Sequence, residues 1–190
     1  MKQIARRSSL PFRAVNRCGQ AGYDPGLQRH HLLPLQLLSR DCFTPMIDSL
    51  GRQRIGFDDF RSNGLLLPAL EEASIKMALP LHRGPHREYN AMVIERVGQV
   101  EKSWSVNRFK SPEMAGEEAL MRLALLQRAL SRRLLDTRLK RFTLNRKDPF
   151  GRPVDFSDLD AMADALWGAT ELKCDIQPAK ICSMSSALAT

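Results

Sequence analysis

Four cysteines, Cys18, Cys42, Cys174 and Cys182, lie far apart and form no Cys-x-x-Cys pair. Neither a zinc ribbon nor a disulfide framework is indicated, and reduced thiols are the simplest expectation. No apolar run follows the cationic start at Lys2, Arg6 and Arg7, and no stretch approaches the roughly 20 apolar residues that a membrane-spanning helix needs. The expectation is a soluble, cytoplasmic chain without a cleaved signal peptide and without a membrane partner. Phosphate-cradling glycine loops, Walker-like patterns and Gly-x-Ser-x-Gly elbows are missing, which removes the common nucleotide-binding and serine-hydrolase signatures. There is no internal repeat. The two tryptophans, Trp104 and Trp167, fit helix-end core anchors better than platforms for stacked bases.

What is present is charge, and it is segregated. The chain carries 29 Lys and Arg against 21 Asp and Glu, a net charge of +8. Residues 1–29 hold six cations against one acid and residues 122–147 nine against one, while 30–121 is nearly balanced and 148–190 is acidic. Basic blocks flanking a neutral middle suit a phosphate backbone, although a solvated helix face accounts for many such runs equally well. With 43% hydrophobic side chains, one globular domain with extensions is expected.

Local signals divide the chain. A basic arm, residues 1–28, has Gly/Pro punctuation and little periodicity, and is expected to order on binding. His30-His31-Leu32-Leu33, stopped by Pro34, and Gly64-Leu65-Leu66-Leu67, stopped by Pro68, read as two short strands able to pair. Helical turns are expected between them around Thr44–Leu50 and Phe57–Phe60. Gly84-Pro85 signals a helix from about Pro85 to Trp104, with the apolar stripe Tyr89, Val93, Val97, Val100 and Trp104. Residues 29–105 form the expected core. A long basic helix in 106–147, packed on the core, capped by Ser111 and running to about Arg141, carries Leu123, Leu126, Leu130 and Leu134 on one face and Arg128, Arg132 and Arg133, candidate nucleic-acid contacts, elsewhere. An acidic extension, 148–190, is expected to hold a short helix over Ser157–Trp167. It is also a candidate to fold over the basic helix and restrain it.

All four histidines fall in two places. His30 and His31 are adjacent on a predicted strand, so their side chains point to opposite faces and do not meet one ion in the same way. One can face an ion while the other takes a proton from water, a task suited to imidazole because its ordinary pKa lies near the working pH. His82 and His86 are four apart, the spacing that brings two imidazoles to one ion on a helix. The Gly84-Pro85 break places His82 just before the helix, which weakens its claim as a ligand.

Three segments carry a resemblance: Arg29-His30-His31-Leu32-Leu33-Pro34, Asn63-Gly64-Leu65-Leu66-Leu67-Pro68, and Leu81-His82-Arg83-Gly84-Pro85-His86-Arg87-Glu88-Tyr89-Asn90. Together they resemble the signatures of the AHH family of the HNH and endonuclease VII nuclease superfamily, many of whose members are bacterial toxin domains. The resemblance spans about residues 29–97, and Arg29 stands where the family usually has a small residue. It implies an α+β, mostly helical fold: a ββα-metal core of short β-hairpin plus helix, with added helices on the C-terminal side. It further implies one divalent ion (Mg, Mn, Zn or Ni) held by His30 and His86, with His82 a third ligand or a phosphate contact. His31 would be the general base and Asn63 the tie that holds the hairpin loop. Arg29, Arg83 and Arg87 are candidate phosphate contacts, although exposed helix-start arginines read the same way. The activity expected is endonucleolytic hydrolysis, on DNA more than on RNA and with little sequence preference. The alternatives are a ribonuclease, an antibacterial toxin delivered into another cell and paired with an immunity or regulatory protein, and a non-catalytic zinc-stabilised module that binds nucleic acid.

Overall fold

In the computed structural model, described for residues 8–136, 143–145, 148, 149, 161, 162, 164 and 165, a two-stranded hairpin lies against helices. Strand β1 (Leu27–His31) pairs antiparallel with β2 (Gly64–Pro68), in a register that sets His31 opposite Gly64 and His30 opposite Leu65. The pairing starts three residues earlier than the sequence suggested and stops at His31. Beyond it the Leu32 N–H turns to the Asn63 carbonyl (2.8 Å) and the Leu33 N–H to Asn63 Oδ1 (2.7 Å), so side-chain bonding replaces the ladder.

The residues between the strands are helical in short pieces: α1 (Thr44–Leu50), α2 (Arg52–Ile55) and α3 (Phe60–Asn63). Helix α3 begins at Phe60, where Asp59 accepts the Arg61 N–H as its cap. Asp59 also accepts the Leu10 N–H at 2.9 Å, so this acid is an anchor and not a solvated charge. That contact ties the described part of the N-terminal arm, residues 8–28, to α3. Pro11 bridges Asp59, the Phe60 N–H donates to the Leu10 carbonyl (2.7 Å), and the Asn16 side chain closes the following loop onto Asp24 and Leu27. Several backbone polar groups of residues 8–28 thus find partners within the chain.

After β2 come α4 (Glu71–Met77), α5 (Arg87–Asn107) and α6 (Pro112–Leu135). Helix α5 starts two residues later than expected. Gly84 has φ +81°, a left-handed conformation that glycine adopts freely, and His86 becomes the residue before the helix, its carbonyl taking the Asn90 N–H at 2.8 Å. The predicted stripe is buried in full: Tyr89, Val93, Val97, Val100 and Trp104 face the Leu123, Leu126, Leu130 and Leu134 row of α6. Burying an aliphatic or aromatic side chain contributes about 1.5–3 kcal/mol each, so this helix pair is the main cohesive element. The hairpin's Leu32, Leu33 and Leu67 join the same core, with Met46, Ile47 and Leu50 of α1.

Helix α6 departs from expectation in three respects. Ser111 makes no side-chain cap bond; its carbonyl accepts the Ala115 N–H instead. The helix ends at Leu135 and not near Arg141, because Asp136 is extended (φ −77°, ψ 111°) and an acid at a helix C-terminus is opposed by the macrodipole. Arg133, expected among the nucleic-acid contacts, is 3% exposed on the core side and is unsuited to gripping a backbone. Within the helix expected at Ser157–Trp167 the described residues Ala161, Met162, Asp164 and Ala165 are helical; its other residues and most of the acidic extension fall outside the described residues, as do Cys174 and Cys182.

Candidate active site

The hairpin presents His30 and His31 to opposite sides. His30 is 3% exposed, and its ring lies edge-on to His82 (centroids 5.0 Å apart), His86 (5.6 Å) and Tyr89 (4.9 Å). His82 and His86 are themselves 4.4 Å apart. One ring nitrogen from each of His30, His82 and His86 lies within 4.8 Å of the other two. The Gly84-Pro85 break, which the sequence reading held against His82, instead bends the loop so that His82 reaches the cluster from outside the helix.

The remaining nitrogens of two rings are already engaged. His86 Nδ1 lies 3.2 Å from the Leu144 carbonyl. A carbonyl only accepts, so Nδ1 carries the hydrogen and the Nε2 lone pair is left free. His82 Nδ1 lies 3.2 Å from Gln28 Oε1, which favours the same tautomer. His30 Nε2 is buried with no hydrogen-bond partner among the described residues. A buried, unpartnered imidazole nitrogen facing two other imidazoles fits a divalent cation, since the ion satisfies all three lone pairs together. Protonation works the same way. Burial, followed by the neighbouring imidazoles, holds His30 well below its ordinary pKa and His82 at about 4, and burial lowers His86. All three are therefore neutral near pH 7, the form that ligates metal.

The loop bearing these ligands is clasped from two sides. The His82 N–H donates to the Pro68 carbonyl (2.6 Å) at the end of β2, and the Leu81 N–H donates to Asp148 Oδ2 (2.9 Å). Leu144 and Asp148, which follow α6 in the chain, thus pack on the loop that carries His82 and His86. Tyr89, in the first turn of α5, packs on His30 and donates its hydroxyl to the Leu32 carbonyl at 2.7 Å, tying the helix to the hairpin.

On the opposite face His31 is half-buried beneath Phe12, the rings stacked 3.8 Å apart at 5°. Phe12 meets Phe60 edge-on at 5.2 Å, and Phe60 in turn packs over Gly64, where an added Cβ would lie 2.2 Å from the phenyl ring. Only glycine fits there, so the glycine of the second motif makes room for the aromatic support beside His31. Burial lowers the His31 pKa, opposed by the charge of Asp58 and reinforced by Arg29 and Arg52. Asn63 is fully buried. Its side chain takes the Leu33 N–H and donates to the carbonyls of Leu33 and Phe57 (both 3.2 Å), and Gln127 of α6 donates to it at 3.4 Å. It touches no histidine of the site by these bonds, and its place is structural.

Of the candidate phosphate contacts, Arg29, Arg83 and Arg87 are exposed. Arg29 Nη1 donates to the Phe12 carbonyl at 2.9 Å, so it braces the arm. Arg128 and Arg132 are exposed on α6, away from the metal cluster. Sequence reasoning missed Phe12, Gln28, Leu144 and Asp148. Phe12 and Gln28 carry no motif, Leu144 acts through its backbone, and Asp148 was read only as part of an acidic block.

The model of the AHH family, described as a nuclease family of the HNH/ENDO VII superfamily with conserved AHH, matches residues 12–130. The chain belongs to the AHH family. The match begins at Phe12 and runs through most of α6, so the resemblance is wider than the 29–97 read from the motifs and takes in the arm and the second long helix. No curated protein and no solved structure matches the chain. Among the described residues no helix is long and apolar enough to cross a membrane.

Proposed function

We propose that this AHH nuclease is a metal-dependent endonuclease in which His30, His82 and His86 hold one divalent ion and His31 is the general base. The single observation that carries the reading is the convergence of three imidazole nitrogens, one of them the buried and unpartnered His30 Nε2, one strand position from a fourth imidazole facing the other way. When bound, the ion supplies Lewis-acid stabilisation of the charge that gathers on a phosphodiester. The protein's own groups do the rest. The Leu144 carbonyl and Gln28 orient two of the ligand rings, an arrangement that sustains both affinity and geometry. His31, kept neutral by partial burial, accepts a proton from the attacking water, and Phe12 stacked on its face fixes the plane of the ring. Arg83 and Arg87, exposed beside the ligand loop, are placed to meet phosphate.

An all-imidazole donor set suits zinc or nickel better than magnesium or manganese, which prefer oxygen ligands. Retention of the fold without the ion separates this reading from a structural zinc module. The core of α1, α5, α6 and the hairpin is continuous apolar packing that does not pass through the three histidines, whereas modules that need zinc to fold lack such a core. Plasmid DNA and a structured RNA, each incubated with Mg, Mn, Ni or Zn with and without chelator, test the proposal. The reading predicts metal-dependent DNA cleavage by the wild type and severe loss in His31→Ala, with both proteins folded in chelator. Equal cleavage by His31→Ala would remove His31 as base. Cleavage of RNA alone would reassign the substrate.

A further inference from the structure

A cavity of about 420 Å³ opens between the α3–β2 corner and α6. Leu32, the residue after His31, and Gly64, the residue opposite it, line one side, so the cavity adjoins the strand end that carries the proposed general base, and none of the four histidines lines it. Three guanidinium groups line it: Arg61 from α3, and Arg128 and Arg132 one turn apart on α6. Among the described residues no carboxylate lines it, although Asp59 accepts from the lining Ser62 Oγ at 3.0 Å and feels the charge of Arg61. Nearby arginines are matched differently, since Arg52 pairs with Asp58, Arg54 with Glu117 and Arg122 with Glu118. Arg61 is held in place by donating Nη1 to the Ser8 carbonyl, so the N-terminal arm braces one cation of the set. Asp59 offsets part of the charge of Arg61, while Arg128 and Arg132 stand one turn apart with no acid among the lining residues; the excess of positive charge on this concave surface favours an anion, and guanidinium is suited to bidentate donation to phosphate oxygens.

We propose that this cavity binds a backbone phosphate of the polynucleotide, next to the phosphodiester presented to His31. The proposal rests on the nuclease reading for its ligand and adds where the strand runs: from the ion, past His31, onto α6. On that path α6 is a substrate-binding element as well as half of the core. It also divides the basic helix, with Arg128 and Arg132 facing the strand while Arg133 is turned into the core.

The test uses the full chain in chelator, so that nothing is cut, and a labelled 12-nucleotide single-stranded DNA followed by fluorescence anisotropy over a range of salt. Arg128→Ala/Arg132→Ala is compared with Lys102→Ala/Lys110→Ala, an equal charge change at exposed positions that line neither the cavity nor the histidine cluster. The expected result is at least about a tenfold loss of affinity at low salt for the arginine pair, with the slope of log affinity against log salt reduced by about 1. The lysine pair should lose no more than about threefold. Arg128→Lys/Arg132→Lys should keep the salt slope and recover part of the affinity, which a misfolded variant would not do. Equal losses in the alanine and lysine-site pairs would overturn the subsite, because net charge alone would then explain binding. If the wild type cuts DNA and the two pairs bind alike, the subsite fails and the nuclease reading stands. If binding depends on the arginine pair but neither DNA nor RNA is cut with any metal, the nuclease reading fails and the subsite stands. Absence of any binding by the wild type overturns the subsite directly.

Discussion

His30 and His31 are chemically identical and adjacent, yet the hairpin gives them different surroundings. His30 faces two other imidazoles and the Tyr89 ring, nearly sealed from water, with a nitrogen that lacks a partner. His31 faces a phenyl ring from the arm, remains half-accessible, and has Arg29, Arg52 and Asp58 as its charged neighbours. The difference follows from strand geometry, because alternation turns consecutive side chains to opposite faces. Two adjacent histidines on a strand can therefore take two roles, provided each face carries its own supporting elements. The His30 face draws on the loop before α5 and on Leu144 and Asp148. The His31 face draws on the arm and α3.

That division can be broken at several points. The largest expected effect is on chemistry: His31→Ala should lower cleavage by about 10²–10⁴-fold, the range for a lost general base, while leaving ion affinity within about threefold. Asn63→Ala should act on both faces through the fold, since it strands the Leu33 N–H and two buried carbonyls. A loss on the order of 3 kcal/mol in denaturant unfolding is expected from buried groups left unsatisfied, and a loss under about 1 kcal/mol would show that the loop finds other partners. Asp148→Ala should act on the His30 side alone. Ion affinity should fall about tenfold by calorimetry, because the Leu81 N–H beside His82 loses its partner and the loop is held less firmly, and excess ion should restore cleavage. Phe12→Ala should touch the base face alone, lowering kcat by about tenfold with KM and ion affinity unchanged, since it acts through the orientation of the base. Phe12→Tyr should restore kcat; a matching fall in ion affinity would show that the faces are not separate.

A pH experiment separates the faces by protonation. Below pH 6.5 an unfolded histidine takes a proton, whereas in the fold His82 holds out to about 4 and His30 is also depressed. The unfolded chain then binds more protons than the native one, so stability of the ion-free protein should be level above pH 6.5 and fall from there towards pH 4. Thermal unfolding in chelator checks this. A midpoint unchanged between pH 7 and pH 5 would mean that the cluster is not buried in solution.

The histidine pairing and the Val93, Val97, Val100 stripe were legible in sequence because strand alternation and helical period are local rules. The Gly84-Pro85 break was legible as a break, but its consequence was not: whether a bent loop carries His82 towards His30 or away depends on the Pro68 carbonyl and on Asp148, remote in sequence. The docking of residues 8–28 was not legible because it rests on Asp59, 49 residues from the Leu10 that it anchors. Arg133 was misplaced because a basic run at helical spacing inevitably puts some members on the buried side, and side chains of mixed length hide which.

The most direct test is titration of a divalent cation, zinc or nickel, into the wild type, His31→Ala and His86→Ala by calorimetry at pH 7. The account predicts one ion per chain with similar affinity in the wild type and His31→Ala, and affinity weakened by at least about 100-fold in His86→Ala. Loss of the ion in His31→Ala, or its retention in His86→Ala, would contradict the assignment of the two faces.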